Sequence, residues 1–129
     1  MTVRVTTAAQ AAAIDALAIA GGTASYDLMH AAGHAAAGVI RDRFHGNIGA
    51  DGCILFAGPG NNGGDAWVVA AELAVTGTRV TVVEIAPPRT PDATMAKAAA
   101  TATAGVTVVA LDAFVRPAAE AEPVIVDGL

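Results

Sequence analysis

The run of residues best suited to chemistry is 58–65, which reads Gly-Pro-Gly-Asn-Asn-Gly-Gly-Asp. Its glycines permit positive φ and, lacking side chains, let backbone N–H groups approach a ligand closely. A helix is predicted over 65–76, and a helix N-terminus favours anions through its free N–H groups and its dipole. The carboxamides of Asn61 and Asn62 can bind a sugar, an amide or a hard cation. Asp65 is either the N-cap or a first-turn acid of this helix, or it accepts hydrogen bonds from ligand hydroxyls.

Two other patterns suggest chemistry but are weaker. Gly58, Gly60 and Gly63 match the dinucleotide fingerprint, and Glu84 falls about where a ribose-binding acid belongs. That interpretation leaves the two asparagines unexplained and sets Asp65 against a pyrophosphate of like charge, so Glu84 is predicted to be a surface acid. His30 and His34 are spaced to share a helix face, but no third ligand or intervening glutamate supports a metal pair.

The elements that must position the loop alternate between helix and strand. Thr7 and Gln10 form a capping-box pattern for a helix ending near residue 20, and a second helix is predicted over 26–44. Apolar runs predict strands at 53–57, 79–85, 106–110 and 123–127, with helices over 65–76 and 92–104 between them. The predicted fold is α/β: a three-layer αβα sandwich with a Rossmann-like, mostly parallel sheet.

The 129 residues predict a single domain, with a helical part over 7–45 and a βα core over 53–129. Hydrophobic residues make up 54% and charged residues 15%, which excludes disordered and fibrous classes. The net charge of −5 argues against a nucleic-acid surface. The lone Cys53 is predicted to be buried and calls for no oxidising compartment. No apolar stretch is long enough to span a membrane, so a cytoplasmic protein is predicted.

At the loop the sequence resembles the YjeF N-terminal domain family, the NAD(P)HX epimerases. The hallmark of that family is a strand followed by Gly-Pro-Gly-Asn-Asn-Gly-Gly-Asp-Gly and a helix, and residues 54–66 here read Ile-Leu-Phe-Ala-Gly-Pro-Gly-Asn-Asn-Gly-Gly-Asp-Ala. The resemblance extends upstream to Gln10 and to Ile14-Asp15, and downstream to Val124-Ile-Val-Asp127. It covers nearly the whole chain.

The resemblance implies an isomerase of metabolite repair that interconverts the R and S epimers of hydrated NADH and NADPH. It implies that Asn61, Asn62, Gly63, Gly64 and Asp65 bind this hydrated nicotinamide dinucleotide. It also implies a potassium ion, with Asn62 and Asp127 among its ligands. Related proteins often form homodimers, and in many bacteria a dehydratase domain follows.

The chain also departs from the family pattern. The family's catalytic aspartate lies in a glycine-rich turn beyond the position of Leu129, so we expect an incomplete domain that is inactive as an epimerase alone. Ala66 replaces the glycine that closes the loop pattern, and His30-Ala31 replaces Glu-Asn. The alternative function is that of a non-catalytic module of the same fold, which binds a ligand or a partner.

Overall fold

The computed structural model describes residues 5–44 and 48–129. The helices are α1 (Ala8–Ala20), α2 (Ser25–Phe44), α3 (Ile48–Asp51), α4 (Asn61–Val75) and α5 (Pro91–Thr101). The strands are β1 (Cys53–Ala57), β2 (Val80–Glu84), β3 (Val106–Ala110) and β4 (Val124–Gly128), with a short 3₁₀ turn at Leu111–Ala113. Residue 45, the predicted end of the helical part, lies outside the described residues.

Local sequence signals set several helix boundaries. The predicted capping box is confirmed: the Gln10 backbone N–H donates to the Thr7 hydroxyl at 3.2 Å, and the Thr7 N–H donates to Gln10 Oε1 at 2.9 Å. The Thr90 hydroxyl caps α5 by accepting a hydrogen bond from the Ala93 N–H. Gly77 and Gly105, which follow α4 and α5, have φ of 89° and 93° and reverse the chain toward the next strand.

The four strands form one parallel sheet in the order β3-β2-β1-β4. Cys53 pairs with Val80 on one side and with Val124 on the other. The chain therefore moves outward from β1 through β2 to β3 and then returns to the opposite side of β1. This is the switch in strand order beside which open α/β sheets bind ligands at their carboxyl ends. The predicted α/β class is confirmed.

Helix α4 is the centre of the molecule. It packs against the sheet and between α2 and α5. The inward side chains of β1, Cys53 and Leu55, join Trp67 and Leu73 of α4 in one buried cluster. Ile54 and Phe56 alternate to the opposite face of the sheet, where the β3–β4 connection brings Phe114 edge-on to Phe56. Within the described residues, no helix is long and apolar enough to cross a membrane.

The contact between α2 and α4 depends on Gly33. A Cβ atom added there would come within 2.5 Å of the Val68 side chain, so the two helices approach more closely than a larger residue would permit. Cys53 is buried as predicted, and burial raises the pKa of its thiol to about 11.

Candidate functional site

The glycine loop is shorter than the sequence predicts, because α4 begins at Asn61 and not at Asp65. Gly60 is the N-cap residue, and the Gly64 N–H makes the first helical bond to the Gly60 carbonyl at 3.1 Å. The N–H groups of residues 61–63 therefore point out of the helix start without a helical acceptor. The prediction that Asp65 caps the helix is wrong, since Asp65 is the fifth helical residue.

Close packing, and not positive φ, explains Gly58, Gly63 and Gly64 of this segment. Positive φ occurs at other glycines, such as Gly22 and Gly77. A Cβ on Gly63 would overlap the carbonyl oxygen of Gly58. A Cβ on Gly64 would lie 2.6 Å from the sulfur of Met29. The first turn of α4 is thus pressed against the end of β1 on one side and against α2 on the other.

Asn62 and Asp127 lie together at the carboxyl edge of the sheet. The Asn62 side-chain amide donates to the Leu129 carbonyl at 2.7 Å, and the Leu129 N–H donates to Asp127 Oδ1 at 3.0 Å. Both side chains are exposed, and Asp127 lies beside Phe56 in the register of β4 on β1. Asn62 and Asp127, the two potassium ligands that the resemblance implies, are therefore linked through the backbone of Leu129.

Asn61 and Asp65 face the other side of the α4 terminus. As residues i and i+4 they share a helix face, and both line a cavity of about 300 Å³. The remaining walls come from α1, α2 and α5: Asp15, Ile19, Ser25, Leu28, Met29, Ala32 and Asp92. Residues 61–65 therefore present Asn61 and Asp65 to this cavity and Asn62 to the edge that holds Asp127, while the two glycines between them face inward.

Asp65 is half-buried in this cavity. Burial raises the pKa of its carboxyl above the usual range, and the negative charge of Asp15 adds to that effect. Asp15 and Asp92 were not predicted as site residues. The signal for Asp15 is that it is the single charged residue of the apolar helix α1. Asp92 reads as an ordinary first-turn acid of α5, and sequence alone offers no way to place it beside the loop.

Side chains behind the weaker sequence patterns have protein partners. Glu84 forms an ion pair with Lys97, and this makes the Glu84 carboxylate less available to a ribose. The Lys97 ammonium also lies over the Trp67 ring. His34 Nδ1 lies 2.9 Å from one carboxylate oxygen of Glu72, and His30 Nε2 lies 3.6 Å from the other.

The departure at Ala66 leaves the ligand-facing surface unchanged. Its side chain is buried, and a Cβ added at Gly128 of β4 would lie 2.5 Å from the Ala66 methyl group. The methyl group therefore packs on the sheet and not toward the cavity.

Comparisons with known proteins show the family to which the chain belongs. The profile of a family described as YjeF-related protein N-terminus matches residues 25–129. A bifunctional NAD(P)H-hydrate repair enzyme of Thermanaerovibrio acidaminovorans is 43% identical over 72 residues, which cover 54% of this chain and 13% of that protein. An NAD(P)H-hydrate epimerase of Cenarchaeum symbiosum is 48% identical over 61 residues, covering 47% of this chain and 27% of that protein.

A solved structure extends the likeness beyond the loop. The crystal structure of yeast ynu0 superimposes with a TM-score of 0.75 and 26% identity, over 85% of this chain and 48% of that one. The chain thus spans about half of that structure and a smaller share of the curated relatives it matches. Because the family profile covers most of its residues, the chain belongs to the family of YjeF-related protein N-termini.

Proposed function

We propose that this chain provides the loop-bearing part of an NAD(P)H-hydrate epimerase, an isomerase that interconverts the R and S epimers of hydrated NADH and NADPH. The observation that carries the proposal is that the open N-terminus of α4 lies between two polar surfaces. Asn61 and Asp65 line the cavity on one side, and Asn62 lies with Asp127 at the sheet edge on the other. Relatives with matching segments are named as NAD(P)H-hydrate epimerase and repair enzymes.

The α4 terminus suits the anionic part of a dinucleotide. The outward N–H groups of residues 61–63 and the helix dipole attract a pyrophosphate. Asp65 is set back by a turn into the cavity, so its charge does not stand at the helix start. It is placed to accept hydrogen bonds from hydroxyl or amide groups of the ligand, and Asn61 can accept or donate there.

The edge formed by Asn62 and Asp127 has the donor chemistry that potassium requires. Because Asn62 uses its amide nitrogen for the bond to Leu129, its Oδ1 atom remains available as an acceptor. Asp127 uses Oδ1 for the Leu129 N–H, which leaves Oδ2. Carboxylate and amide oxygens suit a hard cation, and potassium accepts a loose shell of them. A bound potassium ion would offset negative charge of the ligand beside the helix start.

The test is a titration of hydrated NADH against the chain in potassium buffer and again in sodium buffer. Wild type is expected to bind more tightly in potassium. Asn62→Ala should weaken binding roughly tenfold in potassium, about the value of one hydrogen bond to a charged group, and should remove the difference between the two buffers. Asp127→Asn should reduce the same difference.

Asn61→Ala is the matched control, since it makes the same change one residue away on the cavity side. It should weaken binding while the response to potassium stays as in wild type. If Asn62→Ala binds hydrated NADH as wild type does, with the same response to potassium, the potassium assignment is wrong. A wild-type chain that does not bind hydrated NADH at all would contradict the proposed function.

The proposal also includes a dehydratase partner and a second copy of this chain. The matching repair enzymes are bifunctional by name, and we infer that this part works beside a dehydratase, in one chain or as a separate protein. A homodimer remains a prediction from the resemblance, and sedimentation of the purified chain would test it.

A further inference from the structure

Helix α1 differs from every other long helix in how little holds it in place. It is 13 residues long and has no buried residue. Ile14 is 56% exposed and Leu17 is 73% exposed. Isolated helices of this length are only marginally stable in water, so α1 is expected to open more readily than the rest of the fold.

Two residues of α1 nevertheless form a wall of the candidate site. Asp15 and Ile19 are four residues apart on one helix face, and both line the cavity opposite Asn61 and Asp65 of α4. The other walls belong to α2 and α5, which pack against α4. The cavity walls therefore consist of three well-packed helices, α2, α4 and α5, and one weakly packed helix, α1.

The cavity is lined by carboxylates whose mutual repulsion disfavours the approach of α1 to the other walls. Asp15 from α1, Asp65 from α4 and Asp92 from α5 all line it, and the residues lining it from α2 are uncharged. No cationic side chain is among the lining residues described. Repulsion between the Asp15 and Asp65 carboxylates disfavours the approach of α1 to the body. A group that donates hydrogen bonds to both carboxylates would replace this repulsion with an attraction.

The connection between α1 and α2 allows such movement. Gly22 has φ of 101° in the turn that joins the helices, and a Cβ there would meet nothing within 4 Å. The family profile begins at residue 25, so α1 lies upstream of the matched part.

We propose that α1 is a ligand-responsive wall of this cavity, and that Asp15 is the residue through which a bound ligand fastens it to the body. This rests on the proposed function, with the hydroxyl- and amide-bearing end of hydrated NADH as the group that bridges Asp15 and Asp65. Binding then orders α1, and α1 shields that end of the ligand from water.

Hydrogen exchange with mass spectrometry tests the proposal on the full 129-residue chain. Amides of residues 8–20 are followed with and without hydrated NADH, at a concentration shown by titration to saturate the protein. In wild type, ligand should slow their exchange roughly tenfold, the effect of one charge-assisted hydrogen bond. In Asp15→Ala, the ligand should still bind through α4, but the slowing over residues 8–20 should be lost.

Glu120→Gln is the control, because it removes one exposed negative charge from a turn that does not line this cavity. It should behave as wild type. If hydrated NADH binds while exchange over residues 8–20 stays unchanged, the role of α1 is wrong and the proposed function stands. If Asp15→Ala retains the full slowing, Asp15 is not the fastening residue. An absence of binding to wild type would overturn both proposals.

Discussion

Helices α4 and α1 are both rich in alanine and valine or isoleucine, yet they have opposite environments. Nine residues of the 15-residue α4 are buried, from Gly63 near its start to Ala74 near its end. The 13-residue α1 has none. Composition and capping predict both helices, but burial depends on which neighbours the chain places around each one. Stability is therefore concentrated around α4, whereas α1 contributes to the cavity without contributing to the core.

The largest effect should come from removing a leucine from each helix. Leu73→Ala on α4 empties a fully buried position and should lower the free energy of unfolding by about 2–5 kcal/mol. Leu17→Ala on α1 makes the same change at a side chain that is 73% exposed, and the effect should stay within about 0.5 kcal/mol. Urea unfolding of both variants measures the difference. Equal losses would show that α1 is packed in solution.

A second comparison tests whether close packing begins at the first turn of α4. Gly63→Ala forces a methyl group onto the Gly58 carbonyl and should cost about 3 kcal/mol of stability. Gly60→Ala, at the N-cap with open space around it, should cost only about 1 kcal/mol. Thermal melts of the two variants separate these values. A Gly63→Ala protein as stable as Gly60→Ala would contradict the observed contact.

The capping box gives a smaller and strictly local effect. Thr7→Ala removes the acceptor of the Gln10 N–H and should weaken α1 by about 1 kcal/mol. Because α1 buries no residue, the urea midpoint of the whole protein should barely move, while exchange of amides in residues 8–20 accelerates roughly fivefold. A parallel fall in global stability would show that α1 unfolds together with the body.

The smallest effect concerns pH. The pKa of Asp65 is raised in the folded state, so its contribution to stability is fully present below the unfolded pKa and is lost as pH rises through the folded pKa. The stability of Asp65→Asn relative to wild type should therefore be greater at pH 7 than at pH 4.

Asp15→Asn should lower the pKa of Asp65, which a carboxyl NMR titration measures. An unchanged pKa would place α1 away from α4 in solution.

Features set by a few adjacent residues were predictable from the sequence. The capping box at Thr7 and Gln10 was confirmed, because a short segment determines it. The strands were found within a residue or so of their observed ends, and their parallel pairing was expected from the alternation of strand and helix.

What depends on contacts between distant residues was not predictable. The start of α4 was placed four residues late, because a Gly-Gly pair has low helix propensity and its packing against Gly58 and Met29 is invisible in the sequence. The pairing of Asn62 with Asp127 was implied by the resemblance to the family. The cavity that joins Asp15 to Asp65 was not, since nothing in the apolar helix α1 indicates where it packs.

The inward and outward division of residues 61–65 also determines how this loop can be redesigned. Gly63 and Gly64 fix the path of the backbone, and any side chain there collides with Gly58 or Met29. The three remaining positions have outward side chains on two separate surfaces. A mutant library that varies residues 61, 62 and 65 and holds both glycines constant would sample new ligand chemistries on an unchanged scaffold, and each surface could be selected independently of the other.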